Sequence, residues 1–454
     1  MRNACCCVAC TLGKELNCLA THLVHAGALS NRLDARSAQQ LAVYRDRHVG
    51  HNINPIKIYR FIAASTGEHP HLIFSYDFAS VFNFLAMNLH SKFAAFALFV
   101  VCGAALAADE PKLLNIYNWS DYIAEDTIKN FEKETGIKVN YDNYDTNEIL
   151  HTKLVAGQTG YDIVVPGAHF AKMQIEGGLL QKLDRTQLSN WGNLDKGLLE
   201  ALASVDKGNQ YLVNWLWGYV TLGIHSAKVK AALGDMPMPA NAWSLVFDPK
   251  YAAKLKGCGI SFLDSASEVL PVAMLYAGKP AYSKVAADYD AAAKVLQSVR
   301  PFVTRFSSSG YINDLATGQV CVVMGFSGDI NIARARAMQA NPKSPPAIEA
   351  LLPTGGATLF FDSMAIPKDA KHVANAHRFI NYILRPEVHA GLTNKVFYAN
   401  PNVASLKFVK TEVANNKTIF LSEIDKQRLT PPDALPQDIR RVQTRLFTNF
   451  KSGK

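Results

Sequence analysis

The chain has 454 residues, with 47 Lys and Arg against 38 Asp and Glu, 49% hydrophobic residues and eight cysteines. Nine of the basic and five of the acidic residues precede Ala108, so the remainder carries 38 and 33, a net charge of +5 dispersed without a polybasic run. That balance argues against nucleic acid as a partner, and the 347 residues from Ala108 onward suffice for two lobes with substantial cores.

Residues 87–107, "MNLHSKFAAFALFVVCGAALA", have the anatomy of a secretory signal peptide. Lys92 supplies the basic start, an apolar stretch follows, and Ala105-Leu106-Ala107 is a small-residue cleavage site. The apolar run is short for a membrane span. A signal of this kind stands at an amino terminus, so residues 1–86 read as an upstream extension outside the native protein; the alternative is an internal anchor behind a separate domain. Export to the periplasm is the expectation. Six cysteines fall before Ala108, and the two that remain, Cys258 and Cys321, suit one disulfide in an oxidising compartment better than a disulfide scaffold or a metal site.

From Lys112 onward, apolar strand runs alternate with amphipathic helices. "LLNIYNW" predicts a strand, "AEDTIKNFEKETG" a helix stopped by Gly136, "KVNYDNY" a strand, "NEILHTKLVAG" a helix, "YDIVVPG" a strand and "FAKMQIEGG" a helix. The texture restarts at "GCGISFLD" and continues through "AAAKVLQSV", "GQVCVVMGF", "ATLFFDSMAIP" and "ANAHRFINYILRPEV". Between the blocks, "YLVNWLWGYVTLGIHS" is an apolar bridge, and the Pro-rich stretch around "NPKSPPAIEALLP" suggests a second crossing. The pattern predicts α/β architecture with open, largely parallel sheets, in two lobes joined by extended crossovers with a cleft between them. The lobes are drawn as 108–215 with 342–425, and 219–338 with 426–454.

Three apolar strand runs end in an aromatic residue followed closely by an aspartate: Trp119-Ser120-Asp121-Tyr122, Phe326-Ser327-Gly328-Asp329 and Phe360-Phe361-Asp362. Ligands of open α/β sheets bind beyond the carboxyl ends of strands, so these residues are expected at the cleft. A carboxylate beside a ring suits a cation on an apolar stem, which it meets with a charge-assisted hydrogen bond while the ring covers adjacent methylenes. Taken singly, Ser120 or Asp121 equally suits a helix cap and Asp362 a turn. The nucleophile elbow, the zinc-protease helix, the phosphate loop and the dinucleotide fingerprint are not found, and no cofactor is implied. His169, after "VVPGA", has the type of a general base but no nucleophile beside it; an exported enzyme using His169 is the remote alternative.

The segments "IYNWSDYIAEDTIKNFEKETGIKV", "YDIVVPGAHF", "GCGISFLDSASEV", "SSSGYINDLATGQVCVVMGFSGD", "LFFDSMAIP" and "KVFYANPN" closely resemble the periplasmic polyamine-binding proteins of ABC importers, especially the putrescine-binding type. The resemblance runs from about Lys112 to Lys454. It implies a type II periplasmic-binding-protein fold whose two lobes close on a linear amine, and it makes Asp121, Glu268, Asp329 and Asp362 the carboxylates that hold the ammonium groups. Trp119, Tyr122, Phe326, Phe360 and Tyr398 become the aromatic box, with Ser120 a polar neighbour, and Cys258 pairs with Cys321. Where the putrescine-binding pattern has two small hydroxyl residues in "VVPSAS", this chain has Gly167 and His169, and Phe326 stands for a tryptophan. His169 is therefore also counted among the binding residues, with its titration expected near the reference histidine value of about 6.5. The implied function is capture of a di- or polyamine, putrescine first, for delivery to a permease and ATPase, by a monomer without metal or cofactor. A binding protein or sensor for spermidine, agmatine or cadaverine is the alternative.

Overall fold

The computed structural model describes residues 110–454. The upstream extension and the signal segment lie outside the described residues. Among those described, no helix is long and apolar enough to cross a membrane.

The first sheet is small and wholly parallel. Its strands are β1 (Leu113–Trp119), β2 (Lys138–Tyr144) and β3 (Ile163–Val164), in the order β2-β1-β3. β1 is central and mostly buried, as its run of Leu114, Ile116 and Tyr117 requires. The chain leaves β1 through helix α1 (Thr127–Thr135), which Gly136 stops in the left-handed conformation at φ 71°. Phe131 on the inner face of α1 packs edge-on against Phe379 at 5.0 Å. Helix α2 (Asn147–Ala156) follows β2; the Thr146 side chain accepts from Ile149 N–H at its start. Helix α3 (Ala168–Glu176) follows β3.

The second sheet has seven strands. Beyond a short β4 (Leu180–Gln181), the 13-residue β5 (Val213–His225) forms its axis; β6 (Ile260–Phe262), β7 (Arg305–Phe306) and β8 (Val322–Phe326) lie to one side. β9 (Ile348–Leu351), β10 (Ala357–Met364) and β12 (Leu429–Thr430) complete it, while β11 (Ile366–Pro367) pairs with β4. β5 runs antiparallel to β10 through its first half and antiparallel to β8 and β9 through its second. At about 3.3 Å per residue β5 spans roughly 40 Å, enough to cross from one set of elements to the other. The expectation of largely parallel sheets holds for the first sheet and is corrected for the second, which is mixed because the crossing strands themselves join it. The described residues thus have the type II periplasmic-binding-protein architecture, with extended crossovers as expected.

Helix α4 (Ala266–Tyr276) follows β6, α5 (Tyr311–Ala316) precedes β8, and α6 (Ser327–Ala340) leaves β8 without an intervening residue. Helix α7 (Val373–Ile383) supplies Phe379, and helix α8 (Pro386–Val396) leads into the segment bearing Tyr398. The closing helix α9 (Gln437–Ser452) packs Phe447 and Phe450 against Phe306, at 6.1 and 5.2 Å between rings. Cys258 and Cys321 form a disulfide that ties the approach to β6 to the start of β8.

Candidate functional site

A cavity of about 30 Å³ opens where the ends of β1 and β8, the starts of α2, α4 and α6, and the middle of β10 meet. Trp119, Ser120, Tyr122, Glu268, Phe326, Asp329, Phe360, Asp362 and Tyr398 line it, so nine residues singled out in the sequence are brought together.

The rings form a nearly continuous wall. Trp119 leans on Tyr144 at 4.7 Å and stands edge-on to Phe326 at 6.4 Å; Phe326 meets Phe360 at 5.4 Å, Phe360 meets Tyr398 at 6.0 Å, and Tyr398 meets Tyr122 at 4.9 Å. The Trp119 indole N–H donates to Val165 O at 2.9 Å, which fixes the ring's plane.

Three carboxylates project into this wall, each at least nine-tenths buried. Asp329 lies in the first turn of α6, where its carboxylate accepts from the Tyr311 hydroxyl and the Tyr398 hydroxyl, both at 2.6 Å. Gly328 is required there, since a Cβ would overlap the Tyr398 ring. Asp362 accepts from the Tyr122 hydroxyl at 2.9 Å. It sits inside β10 at the irregularity between Asp362 and Ser363, which corrects the expectation that it follows a strand's carboxyl end. Gly167 bridges to Asp362, and a Cβ at Gly167 would stand 2.9 Å from the Asn147 amide and 3.4 Å from the Asp362 carboxylate. Glu268 lies in the first turn of α4.

Burial pushes all three acids up. Desolvation raises Asp329 to about 6 against the two tyrosine hydrogen bonds, which favour its ionised form. Asp362 rises to about 8, through desolvation and the nearby Asp329 charge, opposed by Tyr122. Glu268 also reaches about 8, through desolvation and then the charges of Glu148 and Asp362. None of the three has an ion-pair partner among the described residues. Burial thus favours the protonated acids, and a cation brought beside them would favour their ionised form; the surrounding rings suit an ammonium on an aliphatic stem.

Two predicted site residues do not line the cavity. Asp121 adopts φ 55°, a left-handed conformation that aspartate tolerates. Its carboxylate accepts from the Arg336 guanidinium of α6 at 2.6 Å, in a half-exposed pair. His169, the second residue of α3, lines a neighbouring cavity. Neither of its ring nitrogens, both buried, has a hydrogen-bond partner, and burial holds its pKa at about 4, which corrects the expected titration near the reference value.

Other residues of the cavity escaped the sequence reading. Tyr144 ends β2, Asp145 follows it and Asn147 opens α2; Asp145 accepts from Ser120 Oγ at 2.9 Å and Asn147 Oδ1 accepts from Gly167 N–H at 2.9 Å. Ser308, Ser309 and Ile312 come from the entry to α5. The "YDTN" run at the end of β2, an aromatic and an acid at a strand end, is the same signal that marks Trp119 and could have found the first group.

The model of the family described as bacterial extracellular solute-binding protein matches residues 126–419. The putrescine-binding periplasmic protein SpuD of Pseudomonas aeruginosa is 46% identical over 355 residues, covering 78% of this chain and 95% of that protein. The putrescine-binding periplasmic protein PotF of Escherichia coli is 44% identical over 365 residues, covering 80% and 98%. Among solved structures, a candidate spermidine/putrescine ABC transporter from Listeria monocytogenes superposes with a TM-score of 0.67 at 31% identity, covering 76% of this chain and all of that one.

Proposed function

This chain belongs to the bacterial extracellular solute-binding proteins, and from that premise we propose that it captures a linear di- or polyamine, putrescine first, and delivers it to the permease of an ABC importer. The observation that carries the reading is the set of three buried, mutually close carboxylates without a cationic partner inside a ring-lined cavity. In this reading Asp329, Asp362 and Glu268 hold the ammonium ends, while Trp119, Tyr122, Phe326, Phe360 and Tyr398 cover the stem. Four methylenes leaving water contribute about 3 kcal/mol at roughly 0.8 each, and each desolvated cation and ring contact adds about 0.5 to 2 kcal/mol. A neutral sugar would leave the carboxylates unpaired, and an anion would be repelled.

Asp121 acts in the same reading on closure, through Arg336, and Ser120 orients Asp145. The lobes run over 108–215 with 342–425 and over 219–338 with 426–454, and closure is a hinge motion about β5 and β10. The protein works in the periplasm as a monomer, without catalysis, and a membrane-bound permease and its ATPase are the partners. Isothermal titration of the exported protein with putrescine, cadaverine, agmatine, spermidine and spermine tests this. Saturable binding of at least one amine is expected; no binding of any amine, with binding of a sugar or an anionic amino acid instead, overturns it.

A further inference from the structure

Of the three cage acids, Asp362 is the one carried by a strand, and the ladder is faulted beside it. Across the pairing of β5 with β10, Asp362 stands opposite Leu216 and Ser363 opposite Asn214, so Trp215 falls between the two pairs as an extra residue of β5. Such a fault leaves backbone groups of both strands in need of other partners. The Asp362 carbonyl accepts from the buried Asn214 amide at 3.1 Å, and the Ser363 N–H donates to Pro166 O at 3.1 Å. The Trp215 carbonyl accepts from Nε2 of His389, on α8, at 2.6 Å.

His389 is wholly buried, and desolvation holds its pKa at about 4. A carbonyl can only accept, so the neutral imidazole carries its hydrogen on Nε2, while Nδ1 has no partner among the described residues. The indole N–H of the buried Trp215 in turn donates to Tyr122 O at 3.2 Å, and the Tyr122 hydroxyl donates to the Asp362 carboxylate at 2.9 Å. Three hydrogen bonds thus run from α8 through the extra residue of β5 to Tyr122, and end on an acid of the cage. Trp215 itself is not among the residues that line the cavity.

We propose that Trp215, anchored by His389, is the positioning residue for Asp362: it fixes the Tyr122 backbone so that the phenol meets the carboxylate and aims it into the cage. The proposal rests on the amine reading given above, in which that aim decides how well an ammonium is met. Without the indole N–H, Tyr122 is free to draw away, and Asp362 loses a hydrogen bond that favours its ionised form. Three other groups bear on this acid. The charge of Asp329 raises it, and its own charge raises Glu268 and Tyr144. None of these three is hydrogen-bonded to Trp215 among the described residues, so a change at Trp215 reaches Asp362 by way of Tyr122.

The test follows the Asp362 carboxyl carbon by NMR while the ligand-free full protein is titrated with base, beside calorimetric binding of putrescine near pH 7. Tyr122→Phe deletes the hydroxyl and marks the full upward shift. Trp215→Phe is expected to raise the Asp362 midpoint by about half a pH unit or more, short of the Tyr122→Phe value, and to weaken putrescine about threefold or more near pH 7. His389→Leu should shift the midpoint in the same direction, and His389→Gln, which keeps a donor, should shift it less. If Trp215→Phe does not fold, benzothienylalanine at position 215 keeps the shape of the ring and lacks only the N–H. A midpoint that moves in Tyr122→Phe but stays in place when the indole N–H is removed overturns the proposal. A midpoint that shifts with Trp215 in a protein that binds no amine upholds the positioning of Asp362 and overturns the amine reading instead.

Discussion

Tyr398 and Asp329 are tied by two hydrogen bonds: the phenol donates to the Asp329 carboxylate at 2.6 Å and accepts the backbone N–H of the same residue at 3.1 Å. With Tyr311 on the other carboxylate oxygen at 2.6 Å, the acid is aimed and held ionisable despite its burial. Tyr398→Phe should therefore weaken diamine binding by about 1.5 to 3 kcal/mol, the range for a hydrogen bond to a charged group. Asp329→Ala or Asp362→Ala should cost about 2 to 5 kcal/mol, as when one member of a buried charge pair is removed. Calorimetric dissociation constants check both; unchanged values for the two aspartate variants would remove them from the site.

Amine uptake should release protons. Without ligand, Asp329 titrates at about 6 and Asp362 and Glu268 at about 8, and a bound ammonium favours the ionised form of each. Affinity is therefore expected to fall as pH drops from about 8.5 towards 5.5, through those three values. A diamine has two charges for three acids, so one acid keeps its proton, whereas a triamine draws all three into the ionised form. Titrations in two buffers of different ionisation heat should show more protons released by spermidine than by putrescine near pH 7; equal release by both would contradict this count.

The same acids should burden the empty protein. A carboxyl whose folded pKa lies above its unfolded value, about 4.3 for glutamate, adds stability that is complete below the unfolded pKa and lost as pH rises through the folded one. For Glu268 that loss runs up to about 8. Glu268→Gln is thus expected to raise the ligand-free melting temperature at pH near 8.5 by about 1 to 3 °C, and to raise it less or not at all near pH 4. Calorimetric scans at both pH values decide it, and a larger gain at the acid end would refute the assignment.

The disulfide closes a loop across a sequence separation of 63 residues. Loop-closure entropy puts its contribution at about 4 kcal/mol. Reduction should lower the denaturant midpoint accordingly, and thiol titration of the unfolded, unreduced protein from Ala108 onward should find close to zero free thiols; two would mean the bond does not form.

How far the site could be read from the chain depended on what kind of geometry placed each residue. Trp119 and Phe326 were legible because their apolar runs stop at them, and β1 and β8 end there. Asp362 was recognised as a type but misplaced, since period-two alternation carries no trace of the β10 irregularity that turns it inward. Asp121 has the composition of a ligand residue, yet one left-handed φ swings it to Arg336, 215 residues away. Tyr311 looks like the apolar start of an ordinary helix; only the fold brings its hydroxyl to Asp329. The antiparallel share of the second sheet was hidden for the same reason, because which neighbours a 13-residue strand meets is decided by packing at long range.

Trp119 has one more consequence. The chain holds five tryptophans, and of these Trp119 alone lines the cage; Trp191, Trp215, Trp217 and Trp243 stand elsewhere. Its indole is pinned by Val165 and open to the cavity, so on the proposed reading an arriving cation settles over it. On the proposed reading the molecule has a built-in fluorophore at the point of capture, while Trp215 and Trp217, on β5, with the Trp215 indole N–H donating to Tyr122 O at 3.2 Å, would report closure. Occupancy should then be readable by light emission from unlabelled protein, and Trp119→Phe should remove the Trp119 share of the signal while leaving an aromatic face in place.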